Sequence, residues 1–179
     1  MTVNPALLSL FTEQAVQKNS VTNITISKSV ITIHLEAIVG SHYIRPDCQA
    51  PAAVHLHDSE TLSVQGLGVQ GRAIRYAVKM QRVAYVNDGG TFVTFTVPLS
   101  GIRTDLWVTE EVVERAIYFL IDRNQSLPAT VELLRELYQV ETSSSALERW
   151  KTAEAEKLPS AGEIVQRLNE KKDNRLASG

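Results

Sequence analysis

The chain has 179 residues, a formal net charge of −2 and one cysteine, and these values already exclude several classes of protein. A chain of this length can bury a sizeable core and forms one domain or two small ones. Cys48 has no second cysteine to pair with, so an intramolecular disulfide is excluded and a reducing, cytoplasmic location is expected. Because no apolar run approaches the roughly 18 residues of a membrane span and no export signal is seen, we expect no membrane partner. The near-neutral charge gives no overall signature of a nucleic-acid binder.

The first twenty residues predict an N-terminal helix, which we assign to residues 1–20. Asn4 and Pro5 are typical of a helix start. The apolar residues that follow recur roughly on one side, at Leu7, Leu8, Phe11, Ala15 and Val16.

Residues 21–105 carry strand patterns and predict a β-rich domain. Five segments are rich in β-branched or alternating apolar residues: ITISKSVITIHLEAIV (24–39), AVHLH (53–57), TLSVQGLGV (61–69), RAIRYAVKMQRVAYV (72–86) and TFVTFTV (91–97). Turn residues separate them, notably Asp58–Ser59, the glycines from Gly66 to Gly71, and Asn87–Gly90. The strand region joins the next part of the chain near Ser100–Asp105.

Residues 106–172 carry helical patterns and predict an all-helical domain, followed by a polar, flexible tail over residues 173–179. Thr109 before two glutamates is typical of a helix start, and a broad apolar face follows it. Ser126 and Pro128 indicate a second helix, and Ser143 a third. The break at Leu158–Ser160 precedes a last amphipathic segment, GEIVQRLNEKK. Strands first and helices second predict an α+β fold class.

The segment VELLRELYQVETSSSALERW (131–150) has the layout of a helix-turn-helix, whose second helix can enter the DNA major groove. Leu147 and Trp150 lie three residues apart and are expected to pack on the first helix. This leaves polar residues pointing outward, at Ser144, Ser145, Glu148, Arg149 and Thr152. The alternative is a helical hairpin that only packs, because helix pairs with short turns are common.

From about residue 45 to residue 172 the chain resembles the N-terminal zinc ribbon and helix-turn-helix of bacterial insertion-sequence transposases. The resemblance is carried by RPDCQAPAAVHLHDSETLSVQGLGVQGRAIRYAVKMQRVAYVNDGGTF (45–92), followed by the hairpin that ends in LERW. It implies a degenerate zinc-ribbon-like fold before a helix-turn-helix region, an origin in a mobile element, and double-stranded DNA as partner.

The resemblance places the four zinc-ligand positions of that family at Arg45, Cys48, Tyr85 and Asp88. Only Cys48 is a thiolate donor, whereas a structural zinc site requires four Cys or His ligands, so we expect no metal and no cofactor. The superposition instead suggests an Arg45–Asp88 ion pair and packing of Tyr85. His55-x-His57 is a rival metal pair, but no spacing selects a third ligand, and such a pair on a half-exposed strand is usually surface.

No catalytic motif stands out, and we expect the chain not to be an enzyme. The three-carboxylate domain of the transposase family has no counterpart here. A GxxxxGK[ST] loop and a GxSxG elbow are absent, and GLGVQG lacks the strand-then-helix context of a dinucleotide fingerprint.

The charge pattern is mixed with respect to DNA. The hairpin region from Ser126 to Lys157 has four basic residues against six glutamates, which is unfavourable near phosphates. The strand segment from Gln70 to Tyr85 has no acid and four basic residues, Arg72, Arg75, Lys79 and Arg82. Strand alternation sends Arg75 and Lys79 to one face and the other two to the opposite face, unless a bulge intervenes. These four are either phosphate contacts or solvated charges on a sheet.

Two functional hypotheses follow. In the first, which the intact hairpin pattern favours, the protein binds DNA without catalysis. Ser144, Ser145, Glu148 and Arg149 then face the bases, and the phosphates are met by Arg72, Arg75, Lys79, Arg82 and Lys151. In the second, the protein is a protein–protein adaptor or an oligomerising scaffold, such as a homodimer, that has lost DNA binding. Its contact surface or dimer seam is then ERAIYFLIDR (114–123), if that helix is partly exposed.

Overall fold

A seven-stranded mixed sheet organises the protein in a computed structural model that describes residues 14–37, 42–44, 51–53 and 55–157. Its strands are β1 (Ser20–Ile26), β2 (Val30–Glu36), β5 (His55–Val69), β6 (Arg72–Val86), β7 (Phe92–Thr96), β8 (Ile102–Arg103) and β9 (Val108–Thr109). A separate antiparallel pair is formed by β3 (His42–Ile44) and β4 (Pro51–Ala53).

Among the described residues, the first helical element is α1 (Gln14–Lys18), and the others follow the sheet in sequence. They are α2 (Glu110–Ile117), a π-helical turn (Tyr118–Asp122), α3 (Leu127–Tyr138) and α4 (Ser144–Ala155). In the part of the chain that the structure describes, no helix is both long enough and apolar enough to cross a membrane.

Strand β6 is the axis of the sheet. One of its edges pairs antiparallel with β5 along almost its whole length. Its other edge pairs first with β2, in parallel from Ala73 to Lys79, and then with β7, antiparallel from Arg82 to Val86. The remaining order is β1 beside β2 at one end and β9 and β8 beyond β5 at the other.

The first face of the sheet carries one of two hydrophobic cores. On β2 the burial alternates strictly, so Ile31, Ile33 and Leu35 point inward as a half-buried strand requires. The neighbouring strands β5 and β6 add buried residues to the same core, including Ile74, Tyr76, Val78, Val64 and Val83. Ala15 and Val16 of α1 belong to this core as well.

The second face carries the other core, which the C-terminal helices share with the strands. Leu67 of β5 and Val108 of β9 pack there against the helices. The buried apolar residues that the helical elements contribute are Val112, Val113, Ala116, Phe119, Leu134, Leu147 and Trp150. The helices therefore cover the β5–β9–β8 part of the sheet and complete their core only against it.

Two contacts bring the α3–α4 turn directly onto β5. The side-chain amide of Gln65 donates to the Glu141 carbonyl (2.9 Å) and accepts from the Glu141 N–H (3.0 Å). At Gly68 a Cβ would collide with the carbonyl oxygen of Tyr138 and lie 2.7 Å from that of Arg72. Because only glycine lacks a Cβ, the end of α3 can approach the strand this closely.

The predicted arrangement of a ribbon-like domain followed by a separate all-helical helix-turn-helix region is wrong. A seven-stranded mixed sheet replaces the ribbon, and the helices that follow share their core with Leu67 and Val108 of that sheet, so they do not form a separate all-helical unit. Local sequence patterns do not indicate how the strands are ordered in the sheet, because β2 and β6 pair in parallel although they are far apart in sequence.

Several predicted boundaries also change. Asp58–Ser59 and the first glycines of the Gly66–Gly71 stretch lie inside the continuous strand β5, and the turn falls at Gln70 and Gly71, both with positive φ. The bulge between Leu56 and Asp58 accounts for the local break in pattern. Of the predicted N-terminal helix over residues 1–20, the described part is helical only at Gln14–Lys18, and residues 1–13 lie outside it. The last predicted helix and the tail also lie outside the described residues.

Candidate functional surfaces

Helix α4 carries five of the residues that the sequence assigns to DNA. Its start is as predicted, because Ser143 Oγ accepts a hydrogen bond from the Ala146 N–H (3.2 Å). Leu147 and Trp150 are buried, which turns Ser145, Glu148, Arg149 and Lys151 toward solvent, while Ser144 is half-buried. Lys151 pairs with Glu148 at 3.4 Å, and Arg149 has no ion-pair partner among the described residues.

The four basic residues of β6 differ in their surroundings. Lys79 is neutralised by Glu36 of β2 at 3.1 Å, and Arg82 faces Asp58 of β5 at 4.0 Å. Arg72 and Arg75 are half-buried and form no ion pair within the described ranges. Two of the four charges are therefore already paired with carboxylates.

The alternation along β6 shifts by one residue near its middle. Ile74, Tyr76 and Val78 are buried in the first half of the strand, and Gln81 and Val83 are buried in the second half. The more exposed residues are therefore the odd-numbered ones before the shift and the even-numbered ones after it. Arg75 and Lys79 share the half-exposed face, as predicted from alternation, and after the shift Arg82 is exposed as well.

The nine predicted residues lie on two elements, helix α4 and strand β6. Gln65 lies in register with Arg75 of β6 on one side and with Val108 of β9 on the other. The α3–α4 turn sits on Gln65, and from there α4 runs away from β6, because its last turn bonds to Arg103 of β8 through Glu154. The start of α4 therefore lies on the same face as Arg75, the cross-strand neighbour of Gln65, and its last turn lies at β8, which is separated from β6 by β5 and β9.

Arg103 is the centre of a cluster of charged side chains. Its guanidinium donates to Glu154 of α4 (2.7 Å) and to both carboxylate oxygens of Asp105 (3.1 and 2.9 Å). The hydrogen bond with Asp105 raises the pKa of Arg103, and the same bond holds the pKa of Asp105 below its ordinary value. Because Lys157 also bonds to Glu154 (2.7 Å), this cluster fastens the end of α4 to the sheet.

The expected zinc-ligand positions are only partly visible. Tyr85 is buried in β6 and packs edge-to-face on Phe95, with ring centroids 6.0 Å apart, and Asp88 lies exposed in the β6–β7 turn. Arg45 and Cys48, and with them the suggested Arg45–Asp88 pair, lie outside the described residues. His55 and His57 are exposed on β5 beside its bulge. Within the ranges that the structure describes, no three His, Cys, Asp or Glu side chains are grouped to hold a metal.

A second surface is formed by α2, the π-helical turn and the end of α3. The Arg115 guanidinium lies over the rings of Tyr118 (5.8 Å) and Tyr138 (5.5 Å). Phe119 is buried and lies 5.6 Å from the Tyr118 ring and 6.5 Å from the Tyr138 ring, which joins the three rings into one cluster. Ile121 follows in the same turn and is 64% exposed, and Tyr118 is 38% exposed. We call Arg115, Tyr118, Ile121 and Tyr138 the Tyr118 surface.

The π-helical turn explains why this segment exposes apolar side chains. The Arg123 N–H bonds to the carbonyl of Tyr118 (3.0 Å), five residues earlier, so the turn is wider than an α-helical one. Widening changes the direction of the later side chains, and Ile121, four residues after the half-buried Ile117, is turned outward. The sequence indicated a broad apolar helix here, but the stacking of Tyr138 from α3 is a tertiary contact with no local signal.

Comparison of the chain with protein-family models found no match, and comparisons with curated proteins and with solved structures found none either. The resemblance to insertion-sequence transposases therefore stays a prediction.

Proposed function

We propose that this protein is a non-catalytic adaptor that binds another protein through the Tyr118 surface. The observation that carries the proposal is the stacking of Arg115 over Tyr118 and Tyr138, together with an Ile121 side chain in the same π-helical turn that is 64% exposed. A cytoplasmic location, inferred from the single cysteine, is part of the proposal.

The composition of this surface is that of a protein-binding site. Tyrosine and arginine are enriched among the residues that dominate binding energy in interfaces, and an exposed aliphatic side chain beside them adds apolar area. The rings of Tyr118 and Tyr138 are also held in place before binding, because both contact the buried ring of Phe119 and the Arg115 guanidinium. A preorganised surface loses less side-chain entropy on association.

Charge pairing supports an adaptor over a DNA-binding protein. Lys79, Arg82 and Lys151, three of the cations expected to meet phosphates, are each paired with a carboxylate. A phosphate would have to displace that carboxylate or tolerate it nearby, which reduces the electrostatic gain.

The test of the adaptor function is site-specific photo-cross-linking in cells, with a benzoylphenylalanine placed at Ile121. The matched control has the same group at Leu56, which is equally exposed (63%) but lies on β5. We expect a discrete cross-linked protein from position 121 only, and we expect it to be absent when Tyr118 is also changed to Glu. Equal products from both positions, or none from position 121, would refute the proposal.

Double-stranded DNA binding is the second candidate, because Arg149 on α4 and Arg75 on β6 are cationic and have no carboxylate partner among the described residues. Fluorescence anisotropy with random duplex DNA across a salt series tests it. Binding that weakens steeply with salt, and that Arg149→Ala weakens by about tenfold while Lys28→Ala does not, would establish this function. Absence of binding at low salt would exclude it and leave the adaptor.

A further inference from the structure

Strand β1 is an edge of the large sheet that no other described residue covers. Its seven residues, SVTNITI, contain no charge, proline or glycine, and most of them are exposed. Among the described residues β1 pairs only with β2. Soluble proteins usually protect such edges with charged side chains, proline or bulges, because free main-chain groups recruit another strand. The irregularity in β1 lies near its start, between Val21 and Asn23, and leaves the rest of the strand regular.

The main-chain groups that face away from β2 can be identified from the hairpin turn. The Ser27 N–H donates to the Val30 carbonyl (2.9 Å), so Ser27 and Val30 are a hydrogen-bonded pair. In an antiparallel ladder such pairs alternate with non-hydrogen-bonded ones. Ile24 and Ile26 therefore direct their N–H and C=O groups toward the free edge.

The side chains of the same two residues leave apolar surface at this edge. Ile26 lies opposite the buried Ile31 and is thus on the face of the first core, yet it is 51% exposed because no strand lies beyond it within the described chain. Ile24 is half-buried against that core. A further strand would cover both side chains and extend the core across the seam.

We propose that β1 pairs antiparallel with β1 of a second copy of this chain, about a twofold axis at Thr25. In this register Ile24 lies opposite Ile26 of the copy, and Ile26 lies opposite Ile24 of the copy. The outward N–H and C=O groups of both residues are then paired, which gives about four hydrogen bonds. Two sheets then become one continuous sheet. This self-association uses none of the Tyr118 surface and does not depend on the adaptor function.

The occupant is a second copy because the strand carries no charge that would repel its copy and its alternation of side chains matches itself. In this register Thr25 meets Thr25, and the isoleucines of the core face meet one another. The flanking Lys28 and its copy are six residues apart along the strands, or about 20 Å, which is beyond the screening length of about 8–10 Å. The other uncharged edge, β7, is shorter, with five residues.

Sedimentation equilibrium of the full chain measures the association. We expect a concentration-dependent species of about 40 kDa, twice the 19.8 kDa of the chain. Ile26→Lys is expected to raise the dimer dissociation constant about tenfold or more, because both copies then place an ammonium group in the seam. Ser63→Lys, an exposed change on the interior strand β5, is the matched control and leaves the constant unchanged. A wild-type chain that stays monomeric, or equal effects of the two lysines, would overturn the proposal.

Disulfide trapping tests the register independently of folding stability. In a Cys48→Ser background, Thr25→Cys is expected to form a disulfide-linked dimer rapidly under mild oxidation, since the two residues face each other at the axis. Thr94→Cys on β7 is the control for the other edge and is expected to remain unlinked. Faster linking through position 94 than through position 25 would assign the seam to β7 and refute the β1 pairing.

Discussion

Gln65 holds the main chain of Glu141 through both ends of its side-chain amide, at 2.9 and 3.0 Å. The two residues are 76 positions apart, one on β5 and the other in the turn between α3 and α4. The Gln65 main-chain N–H also donates to the carbonyl of Trp107 (3.0 Å). One strand residue thus joins the sheet, the β8–β9 loop and the helical layer.

Gln65→Ala is expected to lower the free energy of unfolding by about 1–3 kcal/mol, because two hydrogen bonds to the Glu141 main chain are lost. Urea denaturation followed by circular dichroism measures the change. Ser63→Ala, two residues earlier on the same face of β5, is the control and should change stability by less than about 0.5 kcal/mol. Equal effects of the two variants would show that the amide contacts contribute nothing.

Gly68→Ala is expected to destabilise the protein by about 2 kcal/mol or more, because the new methyl group would overlap the end of α3. Gly89→Ala is the matched control, since its nearest neighbour is the Asn87 side chain at 3.4 Å. Thermal unfolding compares the two. A Gly68→Ala variant as stable as the Gly89→Ala variant would contradict the close approach of Tyr138.

The pH dependence of stability is expected to report the Arg103–Asp105 contact. The folded-state pKa of Asp105 lies below its ordinary value of 3.8, so its contribution is complete above that value and disappears as pH falls through the folded pKa. The wild type should therefore exceed Asp105→Asn in stability at pH 6, by no more than about 1 kcal/mol because the carboxylate is exposed. Urea titrations below pH 3.8 should show the difference shrinking. A difference that grows toward low pH would contradict the assignment.

The two tryptophans are expected to differ sharply in fluorescence. Trp150 is 3% exposed within the second core, whereas Trp107 is 55% exposed. Trp107→Phe should leave a blue-shifted emission that acrylamide quenches weakly, and Trp150→Phe a red-shifted emission that it quenches strongly. The opposite order would show that α4 does not pack on the sheet as described.

Features that depend on neighbouring residues were predictable from the sequence. The caps Ser126 and Ser143 both accept hydrogen bonds from the first turns of their helices, and Leu147 and Trp150 are buried as their spacing indicated. Each depends on residues within one or two helical turns, and so leaves a local pattern.

Features that depend on distant residues were not predictable. Nothing near Gln65 indicates that its amide binds a turn 76 residues later, and nothing near Arg115 indicates that Tyr138 lies over it. The same limit applies to the charges. No acidic residue is close to Lys79 or Arg82 in the sequence. Strand pairing nevertheless brings Glu36 to Lys79 and Asp58 to Arg82.

The parallel pairing of β2 with β6 has a consequence for synthesis of the protein. Each residue of β2 pairs with a residue of β6 that is 43 positions later, so a ribosome adding about 5–20 residues per second supplies that partner roughly 2–9 s afterwards. Once the β1–β2 hairpin has left the ribosome, Ile31, Ile33 and Leu35 stay uncovered for that interval. A two-stranded hairpin is marginally stable alone, so the nascent chain offers these residues to chaperones until β6 arrives.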